Sequence, residues 1–367
     1  MKILMFGMSS YPGGIENYIV NYFCNKKFPY QKIHIDFVIY EQEVAYEDVL
    51  KKCGYRVYKV PYLKRNPLGY YKAVSDLLRK KRYDCVYVNM LTAANVFPIQ
   101  IAARNNVRKI ILHAHANSTI HGFVRKSLHN LNKHYCNKIA THRLACSQEA
   151  GEWLYGKQKF TVIPNAIDCE KFGYSKNYRN EIREKYAIPE DTLVIGHVGR
   201  IAEEKNHLFM LDIMNEVLKE QPNSQMVFVG DGVLRQAVQE KAEKLGIKNQ
   251  VIFAGTSTES YKFYSAFDCF LFPSSFEGFG MAALEAQACG LICYCSDCLP
   301  TELNVTGSLK YLALSVTSKK WAKEILAGEM VDRMMLHQRI LMSDYNIDKQ
   351  IKRLVQLLVK GSSERKE

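Results

Sequence analysis

The sequence predicts an α/β protein made of two Rossmann-like, doubly wound domains, and three observations carry that expectation. Short apolar runs alternate with amphipathic stretches through the first half, the pattern of a mostly parallel sheet with helices on both faces. The alternation resets at FTVIPNAIDCEKF, which holds a Pro-Asn turn signal, and starts again at LVIGHVGR. At 367 residues the chain is long for one compact core, so two domains of ordinary size are expected.

In the first half KILMFG, IHIDFVIY, YRVYKV, DCVYVN, KIILHAH and THRLACS read as strands, with helical stretches between them. In the second half LVIGHVGR, SQMVFVGDG, QVIFAG, CFLFPS and LICYCS continue the series. Domains are expected at 1–165 and 166–341, joined near residues 164–172, with a C-terminal helix in 342–367 that can cross back to the first domain. No shorter repeat is evident. Ligands of such folds bind beyond the carboxyl ends of the strands, which directs attention to SSYPGGIEN, HAHANS, GRIAEEKN, GDGVL, AGTS and EGFG.

Several classes are excluded or demoted. The first loop is not a G-x-G-x-x-G fingerprint and no G-x-x-x-x-G-K-[ST] occurs, against a dinucleotide-binding dehydrogenase and a P-loop nucleotidase. The start lacks the pattern of a signal peptide, and nowhere do 18 apolar residues run uninterrupted, so a cytoplasmic protein is expected, with peripheral contact to the inner face of the membrane left open. The 11 cysteines are scattered through strands and helices and are expected as thiols. Cys289, Cys293, Cys295 and Cys298 contain C-x-x-C spacing, but a second C-x-x-C is missing and LICYC reads as a buried strand, so no metal is expected there.

Charge is unevenly placed. Residues 1–165 hold 25 Lys and Arg against 10 Asp and Glu, while the remainder holds 25 against 27. The excess in the first half points to an acidic partner of that half, an anionic membrane surface, a phosphorylated substrate or nucleic acid, with a solvated basic surface kept for solubility as the alternative. Nucleic acid is the poorest of these, because no reading module is recognisable. Segment 121–143 places Val124, Leu128, Leu131, Tyr135 and Ile139 near one helical face and Arg125, Lys126, Lys133 and Lys138 on the others. The stripe is expected to pack into the core, with membrane attachment as the alternative.

Arg200 and Lys205, just beyond the strand that ends at Gly199, offer a guanidinium fork and an ammonium suited to a diphosphate. Gly13 and Gly14 open a helix whose bare backbone N–H groups can approach an anion. In PSSFEGFGMAALEAQACG, Glu277 is expected at the N-terminus of a helix, beside the N–H groups of Phe279, Gly280 and Met281. Glu285 follows among alanines and leucine, about 12 Å further along the axis if the segment is helical throughout. That spacing is too long for a glycosidase-type carboxylate pair and fits two separate acceptors for the hydroxyls of an extended ligand.

Taken together, PGGIENY, HAH, PNAID, VGRIAEEKN, FVGDGVLR and FPSSFEGFGMAALEAQACG occur in an order and spacing that resemble the GT-B-fold retaining glycosyltransferases of family 4. The E-x7-E from Glu277 to Glu285 is similar to that family's signature, and HAHANS with YLALSVTSKKWAKEIL resembles its capsular and exopolysaccharide branch. The resemblance implies two domains facing across a cleft, the first binding the acceptor and the second the donor. It implies that Arg200 and Lys205 hold a donor diphosphate approached by Gly14, that Glu285 accepts from the donor ribose, and that Glu277, with Gly278 to Met281, holds the transferred sugar. His115 would lie by that sugar, whereas His113 is expected on the other side of the sheet in a structural role. The implied activity is retaining transfer of a hexose-type sugar, from a UDP-sugar in the first instance, to a lipid-linked polyprenyl-diphosphate saccharide. No D-x-D motif is present, and metal independence is expected, with no cofactor. A sugar-nucleotide epimerase and an inactive nucleotide-sugar-binding partner subunit are the rival readings. Departures are modest: Ala166 replaces the usual Gly in PNAID, and Ile292 stands where Pro often follows leucine.

Overall fold

Thirteen strands form two parallel sheets among residues 1–11, 13–40, 43–116, 123–329 and 331–360, which the computed structural model describes. The first sheet runs β3 (Arg56–Lys59), β2 (His34–Ile39), β1 (Lys2–Phe6), β4 (Cys85–Met90), β5 (Lys109–Ala114), β6 (His142–Ala145) and β7 (Thr161–Val162). The second runs β10 (Val251–Gly255), β9 (Ser224–Val229), β8 (Leu193–Val198), β11 (Cys269–Phe272), β12 (Ile292–Ser296) and β13 (Leu309–Leu312). Every expected strand is present. The two that the sequence did not announce are edge pieces: β7 has two residues, and β13, LKYL, is interrupted by the exposed Lys310.

The strands are near-continuous apolar runs because helices cover both faces. Along β1, Ile3 and Met5 pack with Tyr18, Tyr22 and Phe23 on one side, while Leu4 and Phe6 pack with Val74, Leu78 and Ile101 on the other. Period-two alternation thus feeds two cores from one strand. In the second sheet Val227 and Phe270 serve one core and Met226 and Leu271 the other.

The chain divides into two compact units: Met1–Ala166 together with the helix Ile347–Val359, and Ile167–Asn346. Residues 342–346 stay with the second unit, where the Tyr345 carbonyl accepts from Ile167 N at 3.0 Å. The closing helix returns to the first unit through Ile347, Ile351, Leu354 and Leu358. Lys109, only 5% exposed, explains its own place at the start of a core strand: its Nζ donates to the carbonyls of Leu357, Leu358 and Lys360 at 2.8, 2.7 and 3.0 Å. These are end-of-helix oxygens with no intrahelical donor, and a cation there also complements the helix dipole.

The helix Phe123–Ile139 departs from expectation. Its buried residues are His129 and Cys136, with Tyr135 and Ile139 only partly covered, while Phe123, Val124, Leu128 and Leu131 are exposed. The apolar stripe lies about a third of a turn from His129, so a different face docks. His129 fixes that face, since its Nδ1 accepts from Ala93 N at 3.0 Å and its ring stacks on Trp153 at 4.3 Å. His121 and Gly122, which began the expected segment, lie outside the described residues. All 11 cysteines are free thiols, with Cys293 and Cys295 buried in β12. Among the described residues no helix is long and apolar enough to cross a membrane.

Candidate active site

Each sheet reverses its winding at one point, between β1 and β4 in the first unit and between β8 and β11 in the second. Loops leaving the strands there diverge and open a crevice, where such folds bind ligands. The sequence-predicted residues Gly13, Gly14 and His115 lie in the first unit, and Arg200, Lys205, Glu277 and Glu285 in the second.

In the second unit the loops after β8 and β9 are laced together: Gly199 N donates to Val229 O at 2.9 Å, and Ile201 N to Asp231 O at 3.0 Å. Gly230 permits this, because at φ +135° a Cβ there would fall 2.0 Å from Gly199 O. Beyond them Glu203–Lys205 forms a single 3₁₀ turn, closed by Asn206 at φ 61°. Ser275 N donates to Glu204 O at 2.8 Å and locks that turn to the one after β11. Consequently Lys205 and Glu277, 72 positions apart, form an ion pair with side chains only 17% and 12% exposed. The ammonium also lies 5.4 Å over the Phe272 ring. Arg200 is exposed and pairs with Glu204 at 2.8 Å.

Below Lys205 is a feature the sequence reading missed. His197 is fully buried, donates from Nδ1 to Leu271 O at 2.9 Å, and has its ring 5.6 Å from Phe272 and 4.7 Å from the ring of His207. Burial pushes the pKa of His197 well down, with His207 adding to the effect, and burial takes His207 to about 4. Both rings are therefore neutral, and the cationic charge of this corner is that of Lys205 and Arg200. The only advance signal was the two histidines flanking GRIAEEKN.

The helix Met281–Ala288 begins four residues later than Glu277, with Gly280 as N-cap at φ +98°. Glu277 therefore stands in the turn rather than on the helix, and the axial spacing reckoned for a continuous helix does not apply: two glycines and a left-handed backbone intervene. Gly278 faces open space, where an added Cβ would meet nothing within 4 Å, and the Phe279 ring stacks on Tyr345 at 5.1 Å. Glu285 is half-buried by surface area, yet its carboxylate is surrounded closely enough that burial pushes its pKa up to about 7. The Tyr264 hydroxyl, which donates to Oε2 at 2.6 Å, and the Lys171 charge act in the opposite direction. No hydrogen bond among the described residues joins Glu285 to Lys205 or Glu277.

In the first unit a cavity of about 550 Å3 brings Gly13, Gly14 and His115 together, with Asn89, Thr92 and Arg125 also in its wall. Gly14 opens the helix Gly14–Phe23, and an added Cβ would meet nothing within 4 Å; at Gly13 it would come within 2.8 Å of Glu16 Oε2. Glu16, buried and unforeseen, accepts from Ser9 N at 2.8 Å and Ser9 Oγ at 2.9 Å. The positive end of this helix thus already faces a carboxylate of its own chain, a helix-dipole partner that an incoming anion must tolerate.

His115 Nε2 and Asn89 Oδ1 are 2.9 Å apart, and Asn89 Nδ2 donates to Phe6 O at 3.0 Å, which sets Nε2 as the protonated nitrogen. Burial lowers the His115 pKa to about 3, so the ring is a neutral hydrogen-bonding group. Asn117 and Ser118 of the HAHANS loop lie outside the described residues. His113 corrects the expectation placed on it. Its ring lies 4.1 Å from that of His115, on the same side of the sheet, because residues two apart on a strand share a face. It is nonetheless enclosed, 2.7 Å from the Tyr87 hydroxyl, itself 3.1 Å from that of Tyr18.

A larger cavity of the second unit, about 940 Å3, is lined by Lys171, Tyr174, Arg179 and Arg333 among others and includes none of the predicted residues. Among the described residues no group of three or more His, Cys, Asp or Glu is placed to hold a metal ion.

Comparison with known proteins follows the same division. Residues 12–171 match the family model described as Glycosyltransferase Family 4, and residues 178–327 match Glycosyl transferases group 1. The putative glycosyltransferase EpsF of Bacillus subtilis is 30% identical over 333 residues, 88% of this chain and 86% of that one. The UDP-Gal:alpha-D-GlcNAc-diphosphoundecaprenol alpha-1,3-galactosyltransferase of Escherichia coli is 29% identical over 239 residues, 60% of this chain and 59% of that enzyme. Among solved structures, HepE from Anabaena in complex with UDP is similar with a TM-score of 0.80 at 18% identity, covering 98% of this chain and 99% of that one. A glycosyltransferase from Rickettsia africae is similar at 0.78 with 17% identity, over 98% and 99%. Two parallel-sheet Rossmann-like units with these matches place the chain in glycosyltransferase family 4, on the GT-B fold.

Proposed function

We propose that the protein transfers a hexose-type sugar from a UDP-sugar to a polyprenyl-diphosphate-linked saccharide, with retention at the anomeric carbon and without a metal ion, in the assembly of a capsular or exopolysaccharide repeat unit. The observation that carries this reading is the Lys205–Glu277 pair beside Arg200, held by laced loops at the winding reversal of the second sheet. A diphosphate leaving group accumulates charge as the glycosidic bond breaks, and preorganised cations lower that barrier by several kcal/mol, on the order of 3. Lys205 and Arg200 are that charge. Each is paired with an acid, Glu277 and Glu204, which keeps the cations aimed. A diphosphate takes over the ammonium, and Glu277 becomes free to accept from sugar hydroxyls. Glu285 is assigned to the ribose, and neutral His115 to a sugar hydroxyl.

The choice of UDP and of a lipid-linked acceptor rests on relatives: HepE is described in complex with UDP, and the Escherichia coli relative is named for a UDP-galactose donor and a diphosphoundecaprenol acceptor. Such an acceptor lives at a membrane surface. The exposed Phe123, Val124, Leu128 and Leu131 beside Arg125 and Lys126, in a half with 25 basic against 10 acidic residues, suit an anionic inner leaflet. Arg125 also belongs to the wall of the first unit's cavity, so the same helix would sit at both membrane and acceptor.

The test is mass-spectrometric detection of sugar transfer from a panel of nucleotide sugars to lipid-linked saccharides, with and without a chelator. The proposal expects acceptor-dependent transfer from a UDP-sugar, unchanged by chelation, with the product α-linked from an α-linked donor. Acceptor-independent hydrolysis or epimerisation would favour the epimerase instead. Equal sedimentation with anionic and neutral vesicles would sink the membrane assignment.

A further inference from the structure

Tyr264, on the helix Ser260–Ala266, is fully enclosed. Its ring lies 5.8 Å from Phe172, 6.0 Å from Phe267 and 5.7 Å from Phe270. In that aromatic setting its hydroxyl makes one hydrogen bond among the described residues, to Glu285 Oε2 at 2.6 Å. A hydroxyl buried without a partner is costly, and a phenylalanine would fill the same space, so packing alone gives no reason for a tyrosine here. The direction of the bond is fixed, because burial and then the Glu285 charge hold the phenol far from ionising. On the acid, Oε2 is engaged, while no hydrogen bond among the described residues reaches Oε1, which is not among the enclosed, unpartnered atoms.

We propose that Tyr264 is a positioning residue for nucleotide-sugar binding: its hydroxyl fixes the rotation of the Glu285 carboxylate, holding Oε2 inward and presenting Oε1 to the vicinal hydroxyls of the donor ribose. This rests on the assignment of Glu285 to the ribose. The benefit is entropic and electrostatic. A glutamate with a free terminal torsion must be ordered when the nucleotide binds, whereas one already tethered presents its acceptor without that cost. The tether also favours the ionised acid, the form that accepts from both ribose hydroxyls.

The test uses the full chain, with UDP as the probe, and compares Tyr264→Phe, Glu285→Gln and the double variant. Tyr264→Phe removes one oxygen and keeps the ring. It is expected to weaken UDP binding about tenfold, to raise the donor KM while leaving kcat within about twofold, and to move the pH dependence of UDP affinity upward. In the Glu285→Gln background the same change is expected to add little, since the carboxylate it positions is gone. A second readout needs no nucleotide: the carbon-13 titration of the Glu285 carboxyl, identified by its loss in Glu285→Gln, moves to higher pH in Tyr264→Phe. If Glu285→Gln binds UDP as the unaltered chain does, the ribose assignment is wrong, and this proposal falls with it. If Glu285→Gln weakens UDP while Tyr264→Phe keeps the original affinity, pH profile and carboxyl titration, the assignment stands and the positioning role is refuted, even should the variant melt earlier.

Discussion

Lys205 and Glu277 are 72 positions apart in sequence and share an ion pair that is mostly out of solvent. Each was legible alone, as a cation after a strand and as an acid in a glycine-bracketed turn, but nothing in the spacing said that they touch. Their meeting depends on the Ser275 to Glu204 backbone bond, which no side chain announces. Removing either partner breaks that pair where a diphosphate and a sugar are proposed to bind. Lys205→Ala and Glu277→Ala are each expected to lower kcat/KM about 10²-fold or more, read in a donor-saturation series. Glu285 gives a pH prediction with a definite sign. Its pKa is raised to about 7 by burial, and ribose hydroxyls, being donors, bind the ionised form better. UDP affinity should therefore rise with pH through about 7 and then level, and UDP binding near pH 7 should release protons, seen as a buffer-dependent heat in calorimetry. A flat profile across that range would contradict the ribose assignment. Glu16, His197 and Tyr264 escaped the sequence reading for one reason: each acts through a partner far along the chain or across a loop, and residue type alone does not reveal it.

Among the elements, strands were the most legible, because a strand covered on both faces is a plain apolar run and needs no periodicity to be seen. Helix faces were less so. The stripe Val124, Leu128 and Leu131 is real, but which face docks was decided by His129 on Trp153, a contact between residues that read as unremarkable. The parity of His113 and His115 was in the sequence all along, as two residues apart on a strand means one face. The C-terminal helix offers the sharpest test at this scale. Lys109 supplies the donors for three of its terminal carbonyls, and Lys109→Met is expected to cost about 2–4 kcal/mol, from the usual value of hydrogen bonds to a charged group. Amide exchange in Ile347–Val359 should accelerate before exchange elsewhere in that unit; uniform protection would show that packing through Ile351 and Leu354 suffices without the lysine.

For the whole molecule, each unit holds a close pair of neutral histidines, His113 with the half-buried His115 in the first and the buried His197 with His207 in the second. All four have pKa values pushed down mainly by burial, to about 3 for His115 and about 4 for His207. Unfolded histidine takes up a proton near pH ~6.5, so below that value the unfolded chain binds more protons than the native one. Stability is then full above ~6.5 and falls with pH towards the native values; Glu285, raised rather than lowered, opposes this with a single group. Urea unfolding at about pH 7.5 and about pH 5 should show the loss in both units, and a midpoint unchanged with pH would mean that these rings are not held neutral. The two-unit plan itself could be read from the repeat of the strand series, since each half carries its own alternation. The cavity that gathers Gly14 and His115 could not, because its wall is drawn from strand ends, helix starts and loops far apart along the chain, from Phe6 to Arg125. The central claim is that a site built on Lys205, Glu277 and Arg200 moves a sugar from a nucleotide to a lipid-linked saccharide. It is met most directly by incubating the full chain with UDP-sugars and polyprenyl-diphosphate saccharides and weighing the products. The account predicts an acceptor one hexose heavier with the unaltered chain and a rate about 10²-fold lower or less with Lys205→Ala. Transfer undiminished in that variant, or sugar nucleotide consumed with no gain in acceptor mass, would contradict it.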